Sequence, residues 1–501
     1  MKAKVGFLSL AEELKFYILS FLPSRDILRC TSVCKALRHT YMSSSELQYI
    51  IELSGQRLLP VPDVVDHTSI SKRLQLLRDK AHAWFRPNLH SFETVSTPRD
   101  LDLSSMRTFV AGGHICFWKF SQDWAMIIPI LPKPSRLQIR RNWSPGMLCS
   151  VPHSKNLDVF MDPAQNLLAV VYVVPSGPLQ SHKTVHIDLR ALNNDSVHPQ
   201  AAGRTLVLSG LPKINTGYAK LKGFGRHIAL LSRQHGTPNA SPMSSERMWQ
   251  LQIWDWKNST ASNCVLSNTF LDLRPEFDIS FLGNNRLLVV TDDLRLYSIE
   301  DMSQAPQLMA CFLLPFPLPD LGCPLPVDDS DIQHSSEPQM QAPQTMYTSD
   351  PKHQLLCIIL SYRTQVFVIS TRIFFDLDGI GGTTSIPWKC WGPSNTRLFK
   401  HAGPCSVHAS GNRVLQAFPT FPIHRDEPYT PLHVMDFSPL AVANRRGLGQ
   451  VVKESSTVVV GPSGESLTTS LPYVDVELDR NSVDLEGIWA DKDGIYLLKA
   501  N

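Results

Sequence analysis

Asn284-Asn285-Arg286-Leu287-Leu288-Val289-Val290-Thr291 is followed at once by Leu294-Arg295-Leu296-Tyr297-Ser298-Ile299. A polar turn leads into an aliphatic run, a short break follows, and the second run alternates apolar with polar residues. Runs of this length between turn residues read as paired strands. The same grammar recurs along most of the chain. Phe109-Val110-Ala111-Gly112-Gly113-His114-Ile115-Cys116-Phe117-Trp118 sets two strands around a Gly-Gly turn. Asn166 to Val174 is a buried strand with Lys183 to Leu189 as its alternating partner. Phe224 to Leu231 precedes Trp249 to Trp256, Leu355 to Ile359 precedes Gln365 to Ile369, and Arg413-Val414-Leu415 precedes Leu432 to Phe437. Gly487 to Ala490 and Gly494 to Leu498 close the series.

Three of the units carry a strand ending in Asp: His186-Ile187-Asp188, Ile253-Trp254-Asp255 and Val434-Met435-Asp436. This resembles the inner strands of a β-propeller blade in the WD-repeat style, with Ile253-Trp254-Asp255-Trp256 nearest to that signature. About six or seven units predict a six- to eight-bladed propeller over residues 89–501. A propeller closes its ring, and the strands of Gly487–Leu498 are expected to pair with those near Arg107–Trp118. A β-sandwich, or two smaller β domains, is the competing reading.

The N-terminal segment has a different period. Leu10, Leu14, Ile18 and Phe21/Leu22 recur at helical spacing, and Ser9 with Glu12 fits a capping box. Pro23 stops that helix, Ser24 is placed to cap the next, and Asp26 falls in its first turn, where the helix dipole favours a negative charge. Ile27, Cys30, Cys34 and Leu37 form a second stripe; Leu47, Ile50 and Ile51 mark a third helix. So small a unit gains from packing on a neighbour.

Here the chain resembles an F-box. The family pattern is met by Leu10, Glu13-Leu14, Ile18, Leu22, Asp26-Ile27 and Val33-Cys34-Lys35, over residues 5–53. Ala11 stands where the family usually has proline, and Leu37 lies close to where it often has tryptophan. The competing reading is an ordinary three-helix cap. Residues 54–88 read as a linker: a turn-rich connection at Leu59-Pro60-Val61-Pro62-Asp63, then a helix with Ile70, Leu74, Leu77 and Ala81 on one face and Trp84-Phe85 at its end. Its cationic faces fit either a partner or, as the preferred reading, a spacer that docks the helical unit on the β domain. The fold class expected is therefore mainly β with a small N-terminal all-α unit: a three-helix F-box, a linker helix, then the propeller.

The chain has 501 residues and a formal net charge of +3, too near neutral to imply nucleic acid or a membrane surface. Its apolar runs are strand-sized, so no transmembrane segment is expected, and Glu12, Glu13 and Lys15 interrupt any signal-peptide core. A cytoplasmic or nuclear location follows as the expectation. The ten cysteines include no C-x-x-C pair, which indicates neither a disulfide framework nor a zinc site. Pro315 to Pro343 reads as a mobile loop between blades, about residues 315–350, with Ser330 among acids as a candidate phosphosite.

No catalytic constellation emerges. His182 and His186 lie on a strand, without a helical metalloprotease context. Gly379-Ile380-Gly381-Gly382 and Gly223-Phe224-Gly225 lack the setting that cradles phosphate and read as turns. Cys30 and Cys34 read as core. Neither a catalytic residue, a metal nor a cofactor is expected. The F-box resemblance implies a substrate receptor that docks on a Skp-type adaptor, and through it a cullin–RING ubiquitin ligase. Leu10, Leu14, Ile18, Leu22, Ile27 and Val33 would be the apolar grip, while the β domain holds an unidentified protein target. The alternatives are an F-box scaffold acting without ubiquitylation and a propeller enzyme, which needs acids or histidines clustered at the central channel.

Overall fold

The computed structural model describes residues 6–61, 68–85, 106–119, 123–130, 138–144, 146–176, 182–208, 219–234, 247–270, 277–316, 321–325, 347–360, 364–377, 385–401, 405–417, 432–443, 449–460, 464–478, 485–491 and 494–499. Four helices make the N-terminal unit: α1 (Glu12–Ser20), α2 (Ser24–Val33), α3 (Lys35–Ser43) and α4 (Ser45–Gly55). The second apolar stripe is split between α2 and α3, because Cys34 is extended at φ −154°. Leu19, Ile27, Leu37, Leu47 and Ile51 form the small core. Two expected caps are placed differently. Ser9 ends a 3-10 turn, donating its hydroxyl to the Gly6 carbonyl at 2.6 Å, and Ala11 precedes α1. Ser24 is already helical and its hydroxyl meets that of Ser54 at 2.6 Å, tying α2 to α4.

The linker helix α5 (Ile70–Ala83) buries Leu74, Leu77 and Ala81. It packs on α4, where Arg78 Nε stands 3.3 Å from Glu52 Oε2. Beyond it Trp84 is buried among Leu415, Leu432, Val434 and Ile488 of the β domain, and Phe85 against Val474. The segment expected to be only a turn-rich connection also contributes a strand, Leu58–Pro60, paired antiparallel with Tyr347–Ser349. At the far end of α4, Gly55 abuts Leu440 of the short helix Pro439–Val442, and a Cβ at Gly55 would lie 3.1 Å from the Leu440 Cβ. The helical unit is thus joined to the β domain at several points.

The remainder is a six-bladed β-propeller. Six sheets of four or five strands open one after another along the chain, and Ser385–Ile386, from within the fifth, returns to pair in parallel with the last strand of the fourth, Gln307–Leu313. The first opens on Arg107–Ala111, the second on Lys155–Asp162, the third on Ala219–Phe224, the fourth on Asp278–Phe281, the fifth on Leu321–Leu325 and the sixth on Ser406–Ser410. The strand pairs read from sequence are present, including Arg286–Val290 with Asp293–Ser298 and Leu355–Leu360 with Gln365–Ser370. Leu321–Leu325 lies inside the stretch read as a loop; the rest of that stretch, Ser330 included, is outside the described residues apart from residues 315–316 and 347–350.

Alternation explains the continuous apolar runs. Leu168, Val170 and Tyr172 pack with Cys116, Trp118 and Ile127 of the first blade, while Leu167, Ala169 and Val171 pack with Leu221, Ile228 and Trp254 of the third. A strand covered on both faces must be apolar at every position. Closure differs from expectation. Leu485–Ala490 pairs with Ile495–Lys499 alone and, among the described residues, with no strand of the first blade. The hairpin instead wedges between blades. Ile488 and Ala490 face the sixth, and Trp489 and Tyr496 face Val110, Phe117 and Ile128 of the first.

Candidate functional site

Helix α1 is apolar on two faces. Leu19 points into the helical core with Phe16 and Leu22 beside it. On the outer face Leu14 is 52% exposed, Ile18 41% and Phe21 70%, and Tyr17 lies between them with its ring 4.8 Å from that of Phe21. Residues three and four apart share a face, so these four form one apolar surface. Helices of soluble proteins put their second face to water through polar residues, and a contiguous apolar face marks a contact site. Leu8, Val33 and Met42 add exposed apolar side chains on the same unit.

The six residues singled out in the sequence therefore separate. Leu14 and Ile18 stand on the outer face of α1. Val33 ends α2, exposed. Leu10, before α1, and Leu22, after it, are half-buried. Ile27 is fully buried in the core of the unit. Tyr17 and Met42 were missed, because a stripe of leucines and isoleucines drew the reading to one spacing; the Tyr17/Phe21 pair, four residues apart, was the available signal.

Ala11 has φ −56° and Leu10 has φ −64° and ψ 153°. Those are the angles that proline fixes for itself and imposes on the residue before it. The backbone thus keeps the entry geometry of a prolyl residue without one.

In the β domain two buried carboxylates are paired across blades. The inner strands carry Asp158 and Asp278, but Asp158 Oδ1 stands 2.9 Å from Arg107 Nη1, and Asp278 is bridged by Lys220 and by Lys222 at 2.9 Å. Asp158 also accepts the Leu221 amide of the next blade at 2.8 Å. These contacts stitch blades together. No group of three metal-ligating side chains occurs among the described residues. Burial pushes the Cys149 and Cys264 thiols up to about 12, far from a nucleophilic thiolate. Cys30 and Cys34 are half-buried against the helical core. His186 stacks on Tyr172 at 5.6 Å. Gly225 makes a turn with φ 54°, but Gly223 lies within a strand, where a Cβ would meet Phe160 Cε1 at 2.3 Å. That glycine marks a close approach between blades rather than a turn. Gly379 to Gly382 lie outside the described residues.

Residues 7–40 match the F-box domain family. No curated protein matches the chain. Among solved structures, the chain is similar to Hsv2 of Kluyveromyces lactis, at 9% identity and TM-score 0.31 over 73% of this chain and 84% of that one. It is similar to a hypothetical selenium-binding protein of Sulfolobus tokodaii, at 12% identity and TM-score 0.31 over 73% and 76%. Apo AztD of Citrobacter koseri matches at 11% identity and TM-score 0.28 over 74% of each chain.

Proposed function

We propose that this protein, an F-box domain joined to a six-bladed propeller, is the substrate-recognition subunit of a Skp–cullin–F-box ubiquitin ligase. In this reading residues 5–53 grip the adaptor, residues 54–88 set the spacing, and residues 89–501 hold a protein target. The observation that carries it is the outer face of α1. Leu14, Tyr17, Ile18 and Phe21 are exposed together within the segment that matches the F-box family. Burying such side chains against a partner contributes about 1.5–3 kcal/mol each. F-box domains bind Skp-type adaptors in cullin ligases, and an F-box with a propeller is the layout of an adaptor or receptor.

The chain then acts by proximity. Catalysis belongs to the ubiquitin-loaded enzyme, and this subunit orients the target. The multiple joints between α4, α5 and the sixth blade support that role, because a receptor that holds distance must be stiff between its two ends. A cytoplasmic or nuclear site of action, with neither nucleic acid nor membrane as partner, completes the proposal. The test is co-purification of the full chain with proteasomal degradation blocked. Adaptor and cullin should be recovered with candidate targets, and the Leu14→Asp/Ile18→Asp double variant should lose adaptor and cullin while retaining targets. Recovery of adaptor and cullin by the double variant at the wild-type level would overturn the reading.

A further inference from the structure

A cleft of about 440 Å³ opens where the helical unit meets the fifth and sixth blades, within the range of small-molecule sites. Its charged lining is one-sided. Arg57 comes from the end of α4, Arg372 from the fifth blade and Lys453 from the sixth, and no carboxylate lines it among the described residues. The carboxylates nearby stand behind these groups. Asp376 holds Arg372 Nε at 2.6 Å and Lys352 Nζ at 2.5 Å, Asp350 lies 3.8 Å from His353, and Glu454 accepts the Lys453 amide at 3.2 Å. Arg57 Nη1 meets His353 Nε2 at 3.2 Å, which requires a neutral imidazole accepting from the guanidinium. Asn395 and Asn412 add amide groups to the wall, and Phe437 and Leu471 give it an apolar side.

The backbone supplies a second observation. A helix end in the left-handed region ordinarily carries glycine, yet Arg57 sits there with φ 59°. A long cation is thus held in a conformation that costs L-residues energy, at the wall of a cleft it shares with two other cations. Strain of this kind collects at ligand sites, and a wall that presents three cations, with Asp376 set behind Arg372 rather than on the wall, favours an anion.

We propose that this cleft binds a small phosphate monoester, its phosphoryl group between Arg57, Arg372 and Lys453 and its organic part against Phe437 and Leu471. Guanidinium groups favour phosphate oxygens through paired, charge-assisted hydrogen bonds. Because Arg57 belongs to the helical unit and the other two cations to the propeller, the ligand bridges the joint. The inference is independent of adaptor binding.

The test uses the full chain with phenyl phosphate as probe, at constant ionic strength, followed by calorimetry and thermal melting. Saturable binding with a rise in Tm is expected for the wild type. Arg57→Gly, which relieves the backbone while removing the guanidinium, should fold at least as stably and bind about tenfold more weakly or worse. Arg372→Gln should weaken binding too. Equal binding by Arg57→Gly, a response matched by sodium chloride, or binding of a phosphoserine peptide without phenyl phosphate would each overturn the proposal.

Discussion

The Arg413 guanidinium carbon sits 4.8 Å from the centre of the Trp84 ring. Arg413 is itself held by Asp436 at 3.1 Å, across the second and third strands of the sixth blade. Trp84 therefore ends the linker helix in a seat built by the propeller, between that blade and the closing hairpin. Trp84→Ala should cost about 3–5 kcal/mol and separate the melting of the helical unit from that of the propeller. Differential scanning calorimetry showing one unsplit transition would contradict this.

The F-box residues divide by burial, and so should their variants. Ile27→Ala empties a fully buried position and should destabilise the helical unit by about 2–5 kcal/mol. Leu14→Asp and Ile18→Asp change exposed positions and should leave circular dichroism and Tm nearly unchanged while abolishing adaptor pull-down.

Ala11→Pro is expected to stabilise the protein by about 0.4–1 kcal/mol, since the backbone at Leu10 and Ala11 already has compatible angles and proline restricts the unfolded chain. Urea unfolding should move to a higher midpoint. A lower one would show that the Ala11 N–H has an essential acceptor.

Asp278 sets an acid limit. Burial pushes its carboxyl up, but Lys222 and Lys220 outweigh burial and leave it below the usual carboxylate value. A depressed folded pKa contributes stability that is present above the unfolded value of about 3.9 and lost as pH falls through the folded one. Asp278→Asn should lower stability at neutral pH and flatten its decline below about pH 4, as read by denaturant titrations across pH.

His433 works in the opposite sense. Its hydrogen bond to Asp475, at 3.2 Å, holds the imidazole above its ordinary value against the effect of burial. That contribution is complete below an unfolded pKa of about 6.5 and is lost as pH rises through the higher folded value. His433→Gln should remove the loss of stability expected on raising pH from about 6 to 8, and an NMR titration of the wild type should place the imidazole above its ordinary value of about 6.5.

Strand pairs between close neighbours were legible because an alternating run, a turn and a second run are a local pattern. Arg107–Ala111 with His114–Lys119 around Gly112 and Gly113, and Arg286–Val290 with Asp293–Ser298, follow from it directly. Leu321–Leu325 was hidden because Gly322 and Pro324 interrupt it and its register shifts between Gly322 and Leu325. Leu58–Pro60 was hidden because its partner, Tyr347–Ser349, lies far along the chain. At Gly223 the glycine signal was visible, but its cause, the Phe160 ring of the preceding blade, was not.

By itself the sequence determined the periodicities: helical spacing to about residue 85, strand alternation after it, and an F-box pattern at the start. Those rest on interactions between residues close in the chain, where composition and spacing act. Only the tertiary structure decided that Ile27 is core while Leu14 and Ile18 face outward, that the ring closes by packing Trp489 and Tyr496 on the first blade, and that Arg57, Arg372 and Lys453 share one cleft. Each of these depends on which surfaces remain after distant segments have buried theirs, and a stripe of apolar residues does not say which of its faces will find a partner within the chain.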